Sequence, residues 1–249
     1  MIFEHWSKHK ILLIFVALAV LIAGGLYFLW QQPVFVPIQN SSLEPAVSSF
    51  KAEHQKQAIE DYLVAQKDFT WSTREDTWNF CSVENLQPEN ELFPFYVWAF
   101  CGEYALENGQ VKNISGSSLP VKIDYPNELS FYDSSRFSFE IPGDGASYTG
   151  DVKRIFPQDV QEKIFGFNAS SLEESNKITA SKTIASWEEI KKAIEDCRVN
   201  QIFQSHSRDV VATLDNGQQL KSKERKIDDI MEVAQNAQQE CGKIIMATE

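Results

Sequence analysis

The chain has 249 residues and a formal net charge of −12, from 35 Asp and Glu against 23 Lys and Arg. That balance excludes a nucleic-acid binder, which neutralises phosphates with Lys and Arg, and a polybasic grip on anionic lipid. With 6 Trp, 7 Tyr and 17 Phe the chain is too rich in aromatics to be a disordered stalk, so its bulk is expected to fold.

Residues 1–10 form a short polar tail with Lys8 and Lys10. Ile11 to Trp30 (ILLIFVALAVLIAGGLYFLW) carries no charge. At about 1.5 Å of rise per residue such a run spans a hydrocarbon core of ~30 Å. Tyr27 and Trp30 sit at its far end, where amphipathic rings favour the interface. Basic residues lie on the near flank only, so the positive-inside rule places the N-terminus in the cytoplasm and residues 31–249 outside, on a single-pass cell-membrane protein. A cleaved signal peptide and a buried soluble helix are the alternatives. The run exceeds the ~7–15 residues of a signal-peptide core and no A-x-A site follows it. No Cys lies near its end, which excludes a lipoprotein anchor.

Residues 31–44 (QQPVFVPIQNSSLE) read as a spacer. From Pro45 to about position 66, Val47, Phe50, Ala58, Ile59, Tyr62 and Leu63 share one face of a helix, and Glu53, Lys56, Glu60 and Asp61 take the other. Trp78, Phe80 and Val83 flank Cys81 in a strand. Leu92 to Leu106 (LFPFYVWAFCGEYAL) is apolar on both alternating faces, which predicts a central strand covered on both sides, with Pro94 at its start. Asn108-Gly109 predicts a hairpin into Val111–Ile114. Further strands are expected at Val121–Ile123 and Phe137–Ile141, a turn at Pro142–Gly145, and a closing helix over Phe156–Phe165 with proline at its first position. Residues 45–167 are thus an α+β domain, a helix lying across an antiparallel sheet. This element order resembles that of cystatin-like and nuclear-transport-factor-like folds.

Residues 168–185 (NASSLEESNKITASKTIA) are polar and lack aromatics, and read as a flexible linker between two domains. A capping box at Ser186 and Glu189 opens a helix through Trp187, Ile190, Ile194 and Cys197. Strands follow at Val199–Phe203, Val210–Leu214 and Gln218–Lys223, turned at Asp215-Asn216-Gly217. A helix through Ile227, Ile230, Met231 and Ala234 precedes a short buried strand over Lys243–Ala247. Residues 186–249 are therefore a second small α+β domain of order α-β-β-β-α-β.

The helix WEEIKKAI, the strand VNQIFQSH, the hairpin VVATLDNGQQL, the helix IDDIMEVA and the strand KIIMAT together resemble the small extracytoplasmic domain of FtsH-type membrane proteases. In that family an ATPase and a zinc protease accompany the domain. This sequence holds no P-loop and no H-E-x-x-H, so the resemblance implies an accessory domain without proteolytic activity.

The chemistry-bearing residues are sparse. Cys81 and Cys101 flank a polar loop centred near position 91, and Cys197 and Cys241 fall within the last domain. Structural disulfides Cys81–Cys101 and Cys197–Cys241 are expected in an oxidising compartment, with buried free thiols as the alternative. His5, His9, His54 and His206 are scattered, so no zinc site and no other cofactor is expected. Asp124, Glu128, Asp133, Glu140, Asp144 and Asp151, interleaved with Tyr125, Phe131, Tyr132 and Tyr148, could supply the two carboxylates of a glycosidase, or form a solvated acidic surface. The stretch Asp144–Asp151 is rich in oxygens but lacks the spacing of a calcium loop. Ser205-His206-Ser207 alternates faces and lacks a nucleophile elbow. Asn40, Asn113 and Asn168 each head an N-x-S sequence.

Two functions follow. The first is a membrane-anchored, non-enzymatic module that binds a protein or envelope component, with the last domain and its strand 210–214 as the contact unit. The second is a membrane-tethered hydrolase of envelope carbohydrate, acting through the carboxylates in 124–151.

Overall fold

The computed structural model describes residues 44–89, 93–125 and 134–249, without the side chains of 44–53 and Ser134. The tail, the apolar run 11–30 and the spacer up to position 43 lie outside the described residues. Among those described, no helix is long and apolar enough to cross a membrane. Ser49–Glu249 is one compact unit built on two four-stranded sheets, an α+β fold.

Helix α1 (Glu44–Val64) buries Ile59 and Leu63 against the first sheet, with Ala58 and Tyr62 beside them, on the face its periodicity predicts. The sheet runs β1 (Thr77–Asn85), β2 (Phe95–Glu107), β3 (Gln110–Asp124) and β4 (Ser138–Glu140), antiparallel and in sequence order. Asn108 and Gly109 turn β2 into β3 with φ of 52° and 75°, the left-handed pair a two-residue hairpin needs. The return strand is one long strand rather than two short ones. A bulge at Glu103/Tyr104, opposite Asn113 and Ser115, restores its register. Val83 lies on the sheet's outer edge, and its backbone N–H donates to Glu60 of α1 at 3.0 Å. Burial raises the Glu60 pKa, and this hydrogen bond only partly offsets that.

The alternation of β2 fills two cores. Phe95, Val97, Ala99 and Cys101 face α1 together with Phe69 and Phe137. Tyr96 and Trp98 face α2 (Tyr148–Ile155) and α3 (Gln158–Phe165), which bury Val152, Ile155, Val160 and Ile164. Trp98 stacks on Phe167, with ring centroids 4.6 Å apart. The sheet is therefore the middle of three layers, because both of its faces are apolar. The expected closing helix is α3, which starts two residues later than expected because Pro157 stands at its N-cap rather than inside it, and the unexpected helix α2 precedes it.

The expected linker is a helix, α4 (Ser170–Thr183). Leu172 and Ala180 are buried on one face of it, while Ile178 is 46% exposed. Asn176, 1% exposed, joins them. Its Nδ2 donates to the carbonyls of Phe80 and Phe100 at 2.9 Å each, and its Oδ1 accepts from Ser82 Oγ at 2.6 Å. A polar residue of a supposed linker thus bolts the helix to β1 and β2, and every polar end of its amide is satisfied.

The second sheet runs β7 (Gln219–Lys223), β6 (Asp209–Leu214), β5 (Val199–Gln204), β8 (Ile245–Thr248), with β8 parallel to β5. Helices α5 (Trp187–Glu195) and α6 (Asp229–Cys241) cover one face, burying Ile190, Ile194 and Ile230 against Ile202, Val210 and Ala212. The element order is the expected one. Two expectations about it are corrected. Strand 210–214 is no edge: β6 lies between β7 and β5, and the edges are β7 and β8. The last strand is not buried either: Ile244 before it is buried and Met246 packs partly against the core, while Ile245 is 54% exposed.

Candidate functional site

The four cysteines form the two expected bridges. Cys81 and Cys101 are direct cross-strand partners in β1 and β2, with Cα atoms 4.1 Å apart. Cys197 and Cys241 join the ends of α5 and α6 at 5.0 Å. Both distances fall below the ~7 Å limit for a bridge.

The carboxylates of 124–151 are dispersed among cations. Lys122 Nζ lies 2.8 Å from Asp124 and 3.9 Å from Glu140. Arg154 pairs with Glu140 and, at 3.0 Å, with Asp151. Asp151 also accepts the Gly143 backbone N–H at 3.0 Å. That bond and the Arg154 guanidinium hold its carboxyl below the usual range. A general acid needs the reverse shift. Asp144 gives its backbone carbonyl to Ser147. Glu128 and Asp133 lie outside the described residues. Among the described residues, no three His, Cys, Asp or Glu side chains gather where a metal ion could sit.

The Ser-His-Ser stretch makes no nucleophile–base pair. Ser205 and Ser207 hydroxyls bond each other at 2.7 Å, and Ser207 donates to Asp209 at 2.6 Å. His206 points its Nδ1 instead toward Glu249, 3.8 Å away.

Two buried carboxylates went unnoticed in the sequence. Glu103 is fully buried. It accepts from Thr73 N at 2.6 Å, Thr77 Oγ1 at 2.7 Å, Ser115 Oγ at 2.7 Å and Thr73 Oγ1 at 3.0 Å. Trp71 Nε1 in turn fixes Ser115 Oγ at 2.8 Å. Burial pushes the Glu103 carboxyl up, but the hydrogen bonds from Thr77, Ser115 and Thr73 outweigh it and the net pKa is lowered. The signal was present: Glu103 is the sole charged residue in LFPFYVWAFCGEYAL. Its place is structural, since it ties the loop after α1 to the bulge of β2 and β3.

Glu224, 2% exposed, sits behind α6. It accepts the backbone N–H of Asp228 at 3.2 Å and of Ile230 at 3.1 Å, so it caps that helix, and Gln204 Nε2 donates to it as well. In the basic run Lys221–Lys226, nothing marks this one acid as buried.

In front of this pair a depression of about 210 Å³ opens where β5 and β8 end and α6 begins. Gln204, His206, Ile227, Asp228, Thr248 and Glu249 line it. Ile227 is 44% exposed there. On the same sheet, Ile245 of β8 and Phe203 of β5 expose their side chains on the face opposite the helices. No protein-family model matches the chain, and no curated protein matches it.

Proposed function

We propose that the chain is a membrane-anchored, non-enzymatic binding module whose folded unit contacts a protein partner through the outer edge of the second sheet. The observation that carries this reading is β8. It is an edge strand without a single charge (Ile245-Met246-Ala247-Thr248), and Ile245 and, two register positions along on β5, Phe203 are exposed on the same face. Soluble domains protect such edges with charges, prolines or covering loops, because an open edge pairs with any available strand. An uncharged edge next to exposed apolar side chains suits a partner that adds a strand.

The apolar run 11–30 supports anchorage with the N-terminus cytoplasmic and the folded unit outside, and the two disulfides suit an oxidising compartment. The order α-β-β-β-α-β of residues 186–249 is that of the FtsH-type extracytoplasmic domain, which supports an accessory role for this part.

The test compares full-length wild type with Ile245→Lys, both crosslinked in intact membranes and purified in mild detergent. A partner captured by wild type and lost with Ile245→Lys, at unchanged melting temperature, is the expected result. Equal capture by both defeats the edge. Turnover of an envelope polysaccharide that is abolished by Glu140→Gln or Asp144→Asn defeats the non-enzymatic reading.

A further inference from the structure

The depression beside β8 has a second property that the edge strand does not explain. Gln204 is 2% exposed and lines it. Its Nε2 end is held by Glu224, and its Oε1 has no hydrogen-bond partner among the described residues. A buried amide oxygen is ordinarily satisfied, so one left unpartnered on a residue that lines a cavity points to a donor that arrives from outside. We propose that the depression binds a primary ammonium group on a slender stem, whether the end of a lysine side chain or a free peptide N-terminus. The proposal rests on the reading of this part as a contact domain.

The electrostatics select the sign of the ligand. The N-terminus of α6 would ordinarily attract an anion. Here the N–H groups of Asp228 and Ile230 are already given to Glu224. An anion would meet the Glu224 carboxylate behind the wall and those of Asp228 and Glu249 on it, against the single imidazole of His206. An ammonium has three donors and no acceptor. Gln204 Oε1 takes one, and the Asp228 and Glu249 carboxylates are the complements of the others. Glu249 is steered toward the site by the His206 backbone N–H at 3.3 Å. The exposed Ile227 and the Thr248 methyl flank the stem. A volume of about 210 Å³ admits an amine with a few methylenes and falls below the ~300 Å³ at which larger ligands begin to fit.

The experiment uses the full-length protein in detergent micelles and measures binding by titration calorimetry. The probes are Nα-acetyl-lysine methylamide, the dipeptide amide Ala-Leu-NH2, and the neutral isostere Nα-acetyl-norleucine methylamide. Saturable binding of an amine probe, about tenfold or more tighter than the norleucine isostere, is expected. Binding of the lysine probe alone identifies a side chain, of the dipeptide alone an N-terminus, and of both the ammonium itself. Glu249→Gln, an exposed position, should weaken the amine by about tenfold and leave the isostere unchanged. Gln204→Met should abolish the preference. Equal binding of isostere and amine overturns the proposal, as does an unchanged affinity in Glu249→Gln or the absence of saturation by either amine. Loss of partner capture in Ile245→Lys is a separate readout, so the ammonium site can fail while the edge contact stands.

Discussion

Glu103 in the first sheet and Glu224 behind the second are both withdrawn from water, at 0% and 2% exposure, yet their surroundings are finished to different degrees. Around Glu103 every neighbour donates inward, and the cluster ends in Trp71 holding Ser115. Around Glu224 the chain of hydrogen bonds runs through Gln204, a residue that lines a cavity, and stops at its unpartnered amide oxygen. The covering layers differ in the same way. The first sheet lies between α1 and α2–α4, so both faces of β2 are core. The second sheet has helices on one face, and its β8 side leaves Phe203 and Ile245 in solvent. A sheet closed on both faces has little left to offer a ligand. A sheet closed on one face keeps an edge, a face and a cavity, and that is where a contact function has room.

The two disulfides give the widest separation between these regions. Cys81 and Cys101 are 7% and 1% exposed, beneath α1, whereas Cys197 is exposed at the end of α5. A reductant reaches the first bridge only when the sheet opens, and the second without unfolding. Under native conditions with a dithiol, Cys197–Cys241 should therefore be reduced on the order of 100-fold faster than Cys81–Cys101. Timed alkylation followed by peptide mass mapping reads both rates. Equal rates would mean that the first sheet is no better covered than the second.

The Glu103 cluster should carry the largest single stability term. Glu103→Ala leaves the Thr73 N–H and three hydroxyls without their acceptor inside the fold, at a cost of ~3 kcal/mol in denaturant unfolding. The pH dependence has a definite sign. The folded-state pKa of Glu103 is lowered, so its contribution is present above the unfolded value of about 4.3 and is lost as pH falls through the folded value. Glu103→Gln should flatten that acid limb of the stability curve. A limb of unchanged slope in the variant would show that the ionised form contributes nothing.

Much of the fold was legible because its signals are local. The hairpin at Asn108-Gly109, the double-faced apolarity of β2, the pairing of cysteines about a loop and the order α-β-β-β-α-β all reside in short patterns. What escaped reading is what depends on partners distant in sequence. Helix α4 is polar because only one narrow stripe of it meets the sheet, and its central contact is an asparagine reaching backbone carbonyls 96 and 76 positions away. Composition reads such a helix as a linker. Helix α2 went unseen because Gly150 interrupts it and only Val152 and Ile155 are buried. The acidic stretch 124–151 advertised chemistry through its density of carboxylates. Lys122 and Arg154, which pair with them, flank that stretch on either side and took no part in that reading. The cavity had no sequence signal, because it joins the ends of two strands that are parallel neighbours in space, β5 and β8, with the start of α6.

The smallest expected effect tests whether the second sheet's domain is held by such local devices. Ser186 caps α5: its Oγ accepts the Glu189 backbone N–H at 3.2 Å, while Glu189 Oε2 accepts from the Ser186 N–H and Oγ at 2.7 Å each. The bonds from the Ser186 backbone and hydroxyl hold the Glu189 carboxyl below its ordinary pKa. Ser186→Ala removes the cap but leaves the backbone bond to Glu189, so a cost of ~1 kcal/mol is expected. The same change should raise the Glu189 pKa toward the unperturbed ~4.3 without fully restoring it, as read by NMR titration of its side-chain carboxyl. The stabilisation this carboxylate supplies is present above that unperturbed value and fades as pH falls through the lowered one, so the stability gap between wild type and variant should narrow at low pH. A gap between them that stays constant down through the acid range would show that the bond from the Ser186 hydroxyl to the Glu189 carboxylate contributes nothing, leaving the effect to the bond that hydroxyl accepts from the Glu189 backbone N–H.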